Sequence, residues 1–153
     1  MADFHTSRSL DSAFADAPYS IGYVSLHSQG DALRAVAYFD SALAIKPNYA
    51  EASYQKAAAE YTLHAYGNTL EDLSAAIDNQ PSLKNDTLVA EVNRSVDSVN
   101  ALITALKDVR GKYPMSVNSK MRLRQMYLVL GDTLRANAGI GSILAQNDGR
   151  ARR

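Results

Sequence analysis

Cysteine is absent from this sequence, and so are the long apolar runs that mark membrane segments. Without cysteine there can be no disulfide bond, no thiolate metal site and no cysteine nucleophile. No apolar run approaches the roughly 18–20 residues that a membrane-spanning helix needs, so we expect no membrane span. The first residues also lack the basic-then-apolar pattern of a secretory signal. With 46% hydrophobic residues, the composition is typical of a globular protein with an apolar core.

Patterns that identify common catalytic and ligand-binding sites are also lacking. The sequence contains no HExxH, GxSxG, P-loop or calcium-loop pattern. His27 and His64 fall at similar places in the chain, and two unrelated surface histidines explain them better than a metal pair or a pH switch. The basic stretch 120–124 has no interleaved aromatic residues to stack on bases. We therefore expect a protein that is not an enzyme, needs no cofactor or metal and binds no nucleic acid.

The net charge is zero, but the charges are unevenly spread. Residues 1–76 contain 4 Lys/Arg and 9 Asp/Glu, whereas residues 77–153 contain 12 and 7. Opposite charges at the two ends can attract a second copy end to end, or two different partners. Ordinary variation in surface composition explains the same numbers, so both interpretations stay open.

The stretch 29–47 has the clearest local pattern in the chain. Gly30 can adopt the positive φ of a tight turn, and Asp31 can cap a following helix. Phe39 belongs to an apolar face that alanines on either side leave accessible to a neighbouring helix. Pro47 ends the helix because it lacks an N–H and biases the preceding residue away from helix. The pattern predicts a helix over 31–45.

The same residues carry a family resemblance. Gly30-Asp31 followed by Ala35, Phe39, Ala42 and Pro47 resembles the second half of a tetratricopeptide repeat, a 34-residue helix-turn-helix unit. Pro81 lies 34 residues after Pro47, and Pro114 lies 33 after Pro81. Gly131-Asp132 repeats the Gly30-Asp31 pair 101 residues later. These recurrences indicate an array of repeats.

The remaining helices are predicted from the same phase. The first is expected from Pro18 to Ser28, and the third from about Tyr49 to Ala65, with a turn at 66–68 and a fourth helix that ends before Pro81. Residues 82–114 lack this regularity, and no Gly or Pro interrupts 82–110. Either a helix pair in repeat phase or one long helix of about 25 residues fits this segment, with a slight preference for the long helix.

The resemblance implies an all-α fold, a right-handed solenoid of about three to four tetratricopeptide-like repeats with an irregular third unit. The corresponding organisation is a flexible N-terminal arm over 1–15, a solenoid over 16–148 and a basic tail over 149–153. In this family, function lies in the concave groove lined by the first helix of each repeat. The usual groove positions correspond here to His27, Glu51, Tyr54, Tyr61, Asn118, Met121 and Gln125.

Tyr54 and Tyr61 are the best anchor candidates among these positions, because aromatic side chains bury a large area and keep a polar tip. A shift of one residue along the helix would instead place both in the core. Lys56 and Glu60 make this alternative serious, since they otherwise occupy positions that the family keeps apolar.

Two functions follow as hypotheses. The first is a non-enzymatic scaffold that binds a peptide or a protein segment in its groove. The second is a structural protein that assembles with itself head to tail, or an accessory subunit of a larger complex. The uneven charge distribution supports the second, because a head-to-tail contact need not close and can continue as a filament.

Overall fold

The computed structural model describes residues 3–112 and 117–138, and these are helices joined by short turns, without a β-strand. The α-helices are α1 (Asp3–His27), α2 (Ala32–Ile45), α3 (Ala50–Thr62), α4 (Tyr66–Asn79), α5 (Thr87–Lys112) and α6 (Val117–Val129). The predicted all-α class is confirmed. None of the helices in the described ranges is long and apolar enough to cross a membrane.

The first hairpin, α1 and α2, confirms the prediction for 29–47. Gly30 has φ +68, and a Cβ there would meet no atom within 4 Å, so the positive φ is what requires glycine. The Asp31 carboxylate accepts a hydrogen bond from the Arg34 backbone N–H at 3.0 Å and caps α2. The helix ends at Ile45, two residues before Pro47.

The predicted start of the first helix at Pro18 is wrong, because α1 begins at Asp3 and contains Pro18 in its interior. Proline removes one helical hydrogen bond, but the helix continues through it. Ala15, which precedes Pro18, is fully buried. Residues 3–15 are thus helical, and the flexibility expected of this arm stays a prediction.

The second hairpin, α3 and α4, repeats the first at a spacing of 34 residues. Lys46 and Gln80 both follow a helix with nearly the same backbone angles, and each donates its N–H to the carbonyl four residues earlier. The predicted turn at 66–68 is wrong, because α4 already begins at Tyr66. His64, 34 residues after Gly30, has φ +58 and makes the turn instead. A residue other than glycine can adopt this conformation at a modest cost.

The core of the first hairpin is built around Phe39, which is fully buried against three alanines, Ala32, Ala35 and Ala59. Gly22 on α1 faces the same ring. A Cβ at residue 22 would lie 2.9 Å from Phe39 Cε1, so only glycine permits this approach. The second hairpin has Leu73 and Thr69 at the positions of Phe39 and Ala35, and both are buried.

A single long helix follows the second hairpin. A short 3₁₀ helix, Pro81–Asn85, leads into α5, which has 26 residues. Of the two alternatives for this segment, the one long helix is therefore the one observed. The chain divides into two compact units, Met1–Val92 and Asn93–Arg153, and α5 begins in the first and continues in the second.

In the second unit, α6 ends in a turn with the geometry of the first hairpin. Gly131 has φ +74, and the Asp132 carboxylate accepts a hydrogen bond from the Arg135 N–H at 2.9 Å. The predicted recurrence of Gly30-Asp31 is confirmed, and a helical stretch follows at 133–138. Pro114 and the basic tail 149–153 lie outside the described residues.

Candidate functional site

Aromatic and polar side chains from α1 and the start of α3 lie together on one surface of the first unit. We call this surface the α1/α3 face. It consists of Tyr19, Tyr23 and His27 from α1, and of Tyr49, Glu51 and Gln55 from α3 and the residue that precedes it. The three α1 residues are spaced by four, so they form one stripe along the helix. His27 and Glu51 are exposed, and the Tyr23 side chain is 44% exposed.

Ring contacts and hydrogen bonds hold the face together. The Tyr19 ring lies between Tyr23 and Tyr49, with centroid distances of 6.2 and 5.1 Å, and Tyr23 is 4.3 Å from His27. The Tyr49 hydroxyl donates to Asp16 Oδ1 at 2.8 Å, which fixes the start of α3 on α1. His27 Nε2 and Gln55 Oε1 are 2.9 Å apart. The face is therefore an ordered platform rather than a set of independent side chains.

Two carboxylates, Asp16 and Glu51, lie beside this platform. Burial raises the pKa of Tyr19, and the nearby Glu51 carboxylate raises it further. Burial and the hydrogen bond to Asp16 likewise raise the pKa of Tyr49. In the part of the chain that the structure describes, no ion pair involves Asp16 or Glu51. Both carboxylates are exposed and able to attract a cation.

Two of the predicted groove residues, His27 and Glu51, thus belong to the α1/α3 face. Tyr19, Tyr23 and Gln55 were missed. The family's usual groove positions, from which the site was predicted, include neither Tyr19 nor Tyr23, but the Tyr23 side chain remains almost half exposed. The spacing of four from Tyr19 to His27 is a signal that could have identified this stripe.

Tyr54 is half-buried and engaged in a contact within the first unit. Its hydroxyl donates to Asp86 Oδ1 at 2.5 Å. Burial first, and this hydrogen bond second, raise the pKa of Tyr54 to about 12. The bond also lowers the pKa of Asp86, which accepts a second hydrogen bond from the Leu88 N–H at 2.9 Å. Tyr54 therefore supports the start of α5.

Tyr61 is also half-buried and lies 5.7 Å from the Tyr66 ring. The one-residue shift that would have placed Tyr54 and Tyr61 in the core does not occur. Most buried residues of α3 are alanines, but Glu60 is buried among them at 4% exposure, and Lys56 is half-buried. The unshifted repeat phase accordingly places two charged residues where the family has apolar ones.

Lys56 and Glu60 form a charge cluster with Asp72 and with Asp40, whose side chain is 57% exposed while the other three are largely buried, and we call this set the buried charge cluster. Lys56 Nζ lies 2.9 Å from Asp40 Oδ1, 3.1 Å from Asp72 Oδ2 and 3.9 Å from Glu60 Oε1. Burial lowers the pKa of Lys56, but the two aspartates outweigh this and the net change is a rise. Burial, followed by the adjacent Asp72, raises the pKa of Glu60 from 4.5 to about 8. The cluster joins α2, α3 and α4, and the raised pKa of Glu60 favours its protonated form.

The other three predicted groove residues, Asn118, Met121 and Gln125, lie on α6 in the second unit. They share the exposed side of this helix, at spacings of three and four. Leu123 and Tyr127 are buried, and Lys107 Nζ lies 5.8 Å from the Tyr127 ring centroid. Their placement in a binding groove stays a prediction.

An exposed apolar surface lies on the first hairpin. Ile21 and Val24 are 43% and 47% exposed and line an open cavity with polar residues of α1, the turn and α2. Phe14 precedes Ile21 by two helical turns and is 67% exposed. We call Phe14, Ile21 and Val24 the α1 apolar stripe.

Within residues 3–112 and 117–138, no group of three or more His, Asp or Glu residues is placed to hold a metal ion. What this chain offers chemically in the first unit is an aromatic and carboxylate surface and an apolar stripe. Both are suited to contacts with another macromolecule or peptide.

No protein-family model and no curated protein sequence matches this chain. Among solved structures, it is similar to MamA 41-end from Desulfovibrio magneticus RS-1, with 23% identity and a TM-score of 0.49 over 88% of this chain and 76% of that one. It is similar to a MamA RS-1 ArsTM double mutant at the same identity and TM-score, over 89% and 76%. Matches at this level assign neither a family nor a function. The tetratricopeptide resemblance rests on the motifs and the repeated hairpins.

Proposed function

We propose that this protein is a non-enzymatic interaction module that binds a peptide or a protein segment, with the α1/α3 face as its main contact surface. The observation that carries the proposal is the ordered stripe of Tyr19, Tyr23 and His27. Rigid aromatic side chains that are partly exposed provide large contact areas at a low entropic cost. A partner that covers Tyr23 would bury its remaining exposed surface.

Peptide selection tests this proposal directly. A phage-displayed library of random 12-residue peptides is selected on the immobilised full chain, and the selected peptides are synthesised and measured by fluorescence anisotropy. We expect binders whose affinity falls by about tenfold in Tyr23→Ala, the loss typical of an interface aromatic.

Tyr38→Ala is the matched control, because Tyr38 is a half-exposed tyrosine on α2 and lies outside the α1/α3 face. Circular dichroism establishes that both variants keep their helices. A selection that yields no binder, or binders that lose as much affinity in Tyr38→Ala as in Tyr23→Ala, contradicts the proposal.

A second candidate function is head-to-tail self-assembly, and the α1 apolar stripe is the observation that favours it. Exposed apolar area of this kind is commonly covered by a partner chain. The acidic first half and the basic second half of the sequence would favour opposite ends meeting. A second copy is then the occupant of the stripe.

Light scattering after size-exclusion chromatography, over a concentration series at low and high salt, measures self-assembly. A polymer would give species that grow with concentration and shrink at high salt, because salt screens charge attraction. Val24→Asp would abolish them, whereas Ser28→Asp, an exposed substitution outside the stripe on the segment that follows α1, would not. A single 16.6 kDa species under all conditions contradicts this candidate.

A further inference from the structure

The chemistry of the α1/α3 face restricts the kind of segment that can bind there. Its centre is aromatic: the ring centroids of Tyr23 and His27 are 4.3 Å apart, and the Tyr19 ring lies 6.2 Å from that of Tyr23. Its edges carry the exposed carboxylates of Asp16 and Glu51. Aromatic ring faces attract cations because of their quadrupole, and carboxylates add full negative charges beside them.

One ring of this face already holds a cation. Lys46 Nζ lies 4.2 Å from the centroid of the Tyr49 ring. The Tyr49 hydroxyl is at the same time bonded to Asp16. The protein therefore combines a lysine, a tyrosine ring and a carboxylate within its own structure. Tyr23 belongs to the same ring cluster through Tyr19, which has Asp16 and Glu51 in its surroundings, and none of the cation–ring contacts among the described residues involves Tyr23.

The wider charge of the first unit has the same sign. Residues 14–92 contain ten Asp/Glu and four Lys/Arg. One of the four cations, Lys56, is held by the buried charge cluster. An acidic or phosphorylated segment would be repelled by this surface, while a basic segment would be attracted over a distance of about 8–10 Å at physiological salt.

We propose that the α1/α3 face binds a segment of a partner protein that contains Lys or Arg, with the cation placed against Tyr23 and its charge countered by Asp16 and Glu51. This inference rests on the proposed function, since it names the chemistry of the segment that the interaction module accepts. The partner's basic side chain takes the place at Tyr23 that Lys46 takes at Tyr49.

Length-matched labelled peptides test the inference. The probes are 12-residue Gly/Ser peptides that carry four Arg, four Glu or four Leu, and their binding to the full chain is measured by fluorescence anisotropy at several salt concentrations. We expect only the Arg peptide to bind, more weakly as salt rises. Tyr23→Ala should weaken it by about three- to tenfold, and Glu51→Gln by about two- to fivefold.

Glu71→Gln is the matched control for Glu51→Gln. Glu71 is an exposed residue on α4, so its substitution removes one negative charge from another part of the first unit. An equal loss in the two variants means that the peptide senses only the net charge, which overturns the inference. An Arg peptide that binds wild type and Tyr23→Ala equally also overturns it.

The library selection separates this inference from the function on which it rests. Binders without an enrichment in Lys or Arg overturn the inference and leave the interaction module standing. A selection with no binder, together with no binding of the Arg peptide, overturns both. Oligomers that dissociate in Tyr23→Ala would show that the basic segment comes from a second copy, which overturns the assignment to a separate partner.

Discussion

Replacement of Phe39 by alanine is expected to lower the free energy of unfolding by about 3–5 kcal/mol. The side chain is fully buried, and the alanines beside it, Ala32, Ala35 and Ala59, are too short to fill the space that it leaves, although Tyr19, Leu26 and Val36 also pack against this cluster. Gly22 faces the same ring and has no side chain at all. The neighbouring side chains can therefore close only part of the cavity, and we expect a loss within this range. Urea unfolding followed by circular dichroism measures it.

Leu33→Ala is the control, because Leu33 lies on the same helix and is 72% exposed. It should change the free energy of unfolding by less than about 0.5 kcal/mol. Gly22→Ala examines the contact from the other side. The added Cβ would meet the Phe39 ring at 2.9 Å, so this variant should be less stable although alanine favours helix. Equal stability of wild type and Phe39→Ala would mean that this contact does not hold the hairpin.

The free energy of unfolding of the wild type is expected to fall as the pH rises from about 4.5 to 8, and Glu60→Gln is expected to remove this fall. The pKa of Glu60 is raised in the folded chain to about 8, so the folded state binds the proton more tightly than the unfolded state. The resulting stabilisation is complete below pH 4.5 and is lost as the pH rises through 8. Above that pH, wild type must keep a buried carboxylate charged beside Asp40 and Asp72, with only Lys56 to compensate.

Glutamine has the shape of the protonated acid but never acquires the charge. At pH 9 we expect Glu60→Gln to be more stable than wild type by about 1–3 kcal/mol, and at pH 5 to be nearly equal. Urea unfolding at a series of pH values measures the difference. Glu71→Gln, at an exposed carboxylate, should leave the pH profile unchanged. A wild-type stability that rises between pH 5 and 8 in a manner dependent on Glu60 would contradict the raised pKa.

The candidate site was only partly predictable from the sequence. The repeat phase directed attention to the first helices of the hairpins, and two of its groove residues, His27 and Glu51, lie on the α1/α3 face, while their role in binding stays a prediction. It did not identify Tyr23, because this residue does not stand at one of the family's usual groove positions. Whether a tyrosine at the edge of a packed face is covered depends on the neighbouring helices, and here they leave 44% of it exposed.

Lys56 and Glu60 illustrate a different limit. The sequence showed that Lys56 and Glu60 fall at positions that the family keeps apolar. Either the helix is shifted by one residue, or the two charged side chains pack inward and need partners of opposite charge. The choice depended on Asp40 and Asp72, which are 16 residues away from Lys56 on each side. No local pattern relates residues at that distance, so only the packing of α2, α3 and α4 revealed the cluster.

By itself, the sequence determined the features that depend on local chemistry. Gly30 and Gly131 adopt a positive φ, Asp31 and Asp132 cap helices, and Pro47 and Pro81 follow helix ends, because each effect acts within a few residues. Tertiary structure decided the features that depend on distant partners. These are the helix that continues through Pro18, the turn at His64, the buried charge cluster and the α1/α3 face. Their stability comes from contacts between helices, and burial outweighs the modest local preference of any single residue.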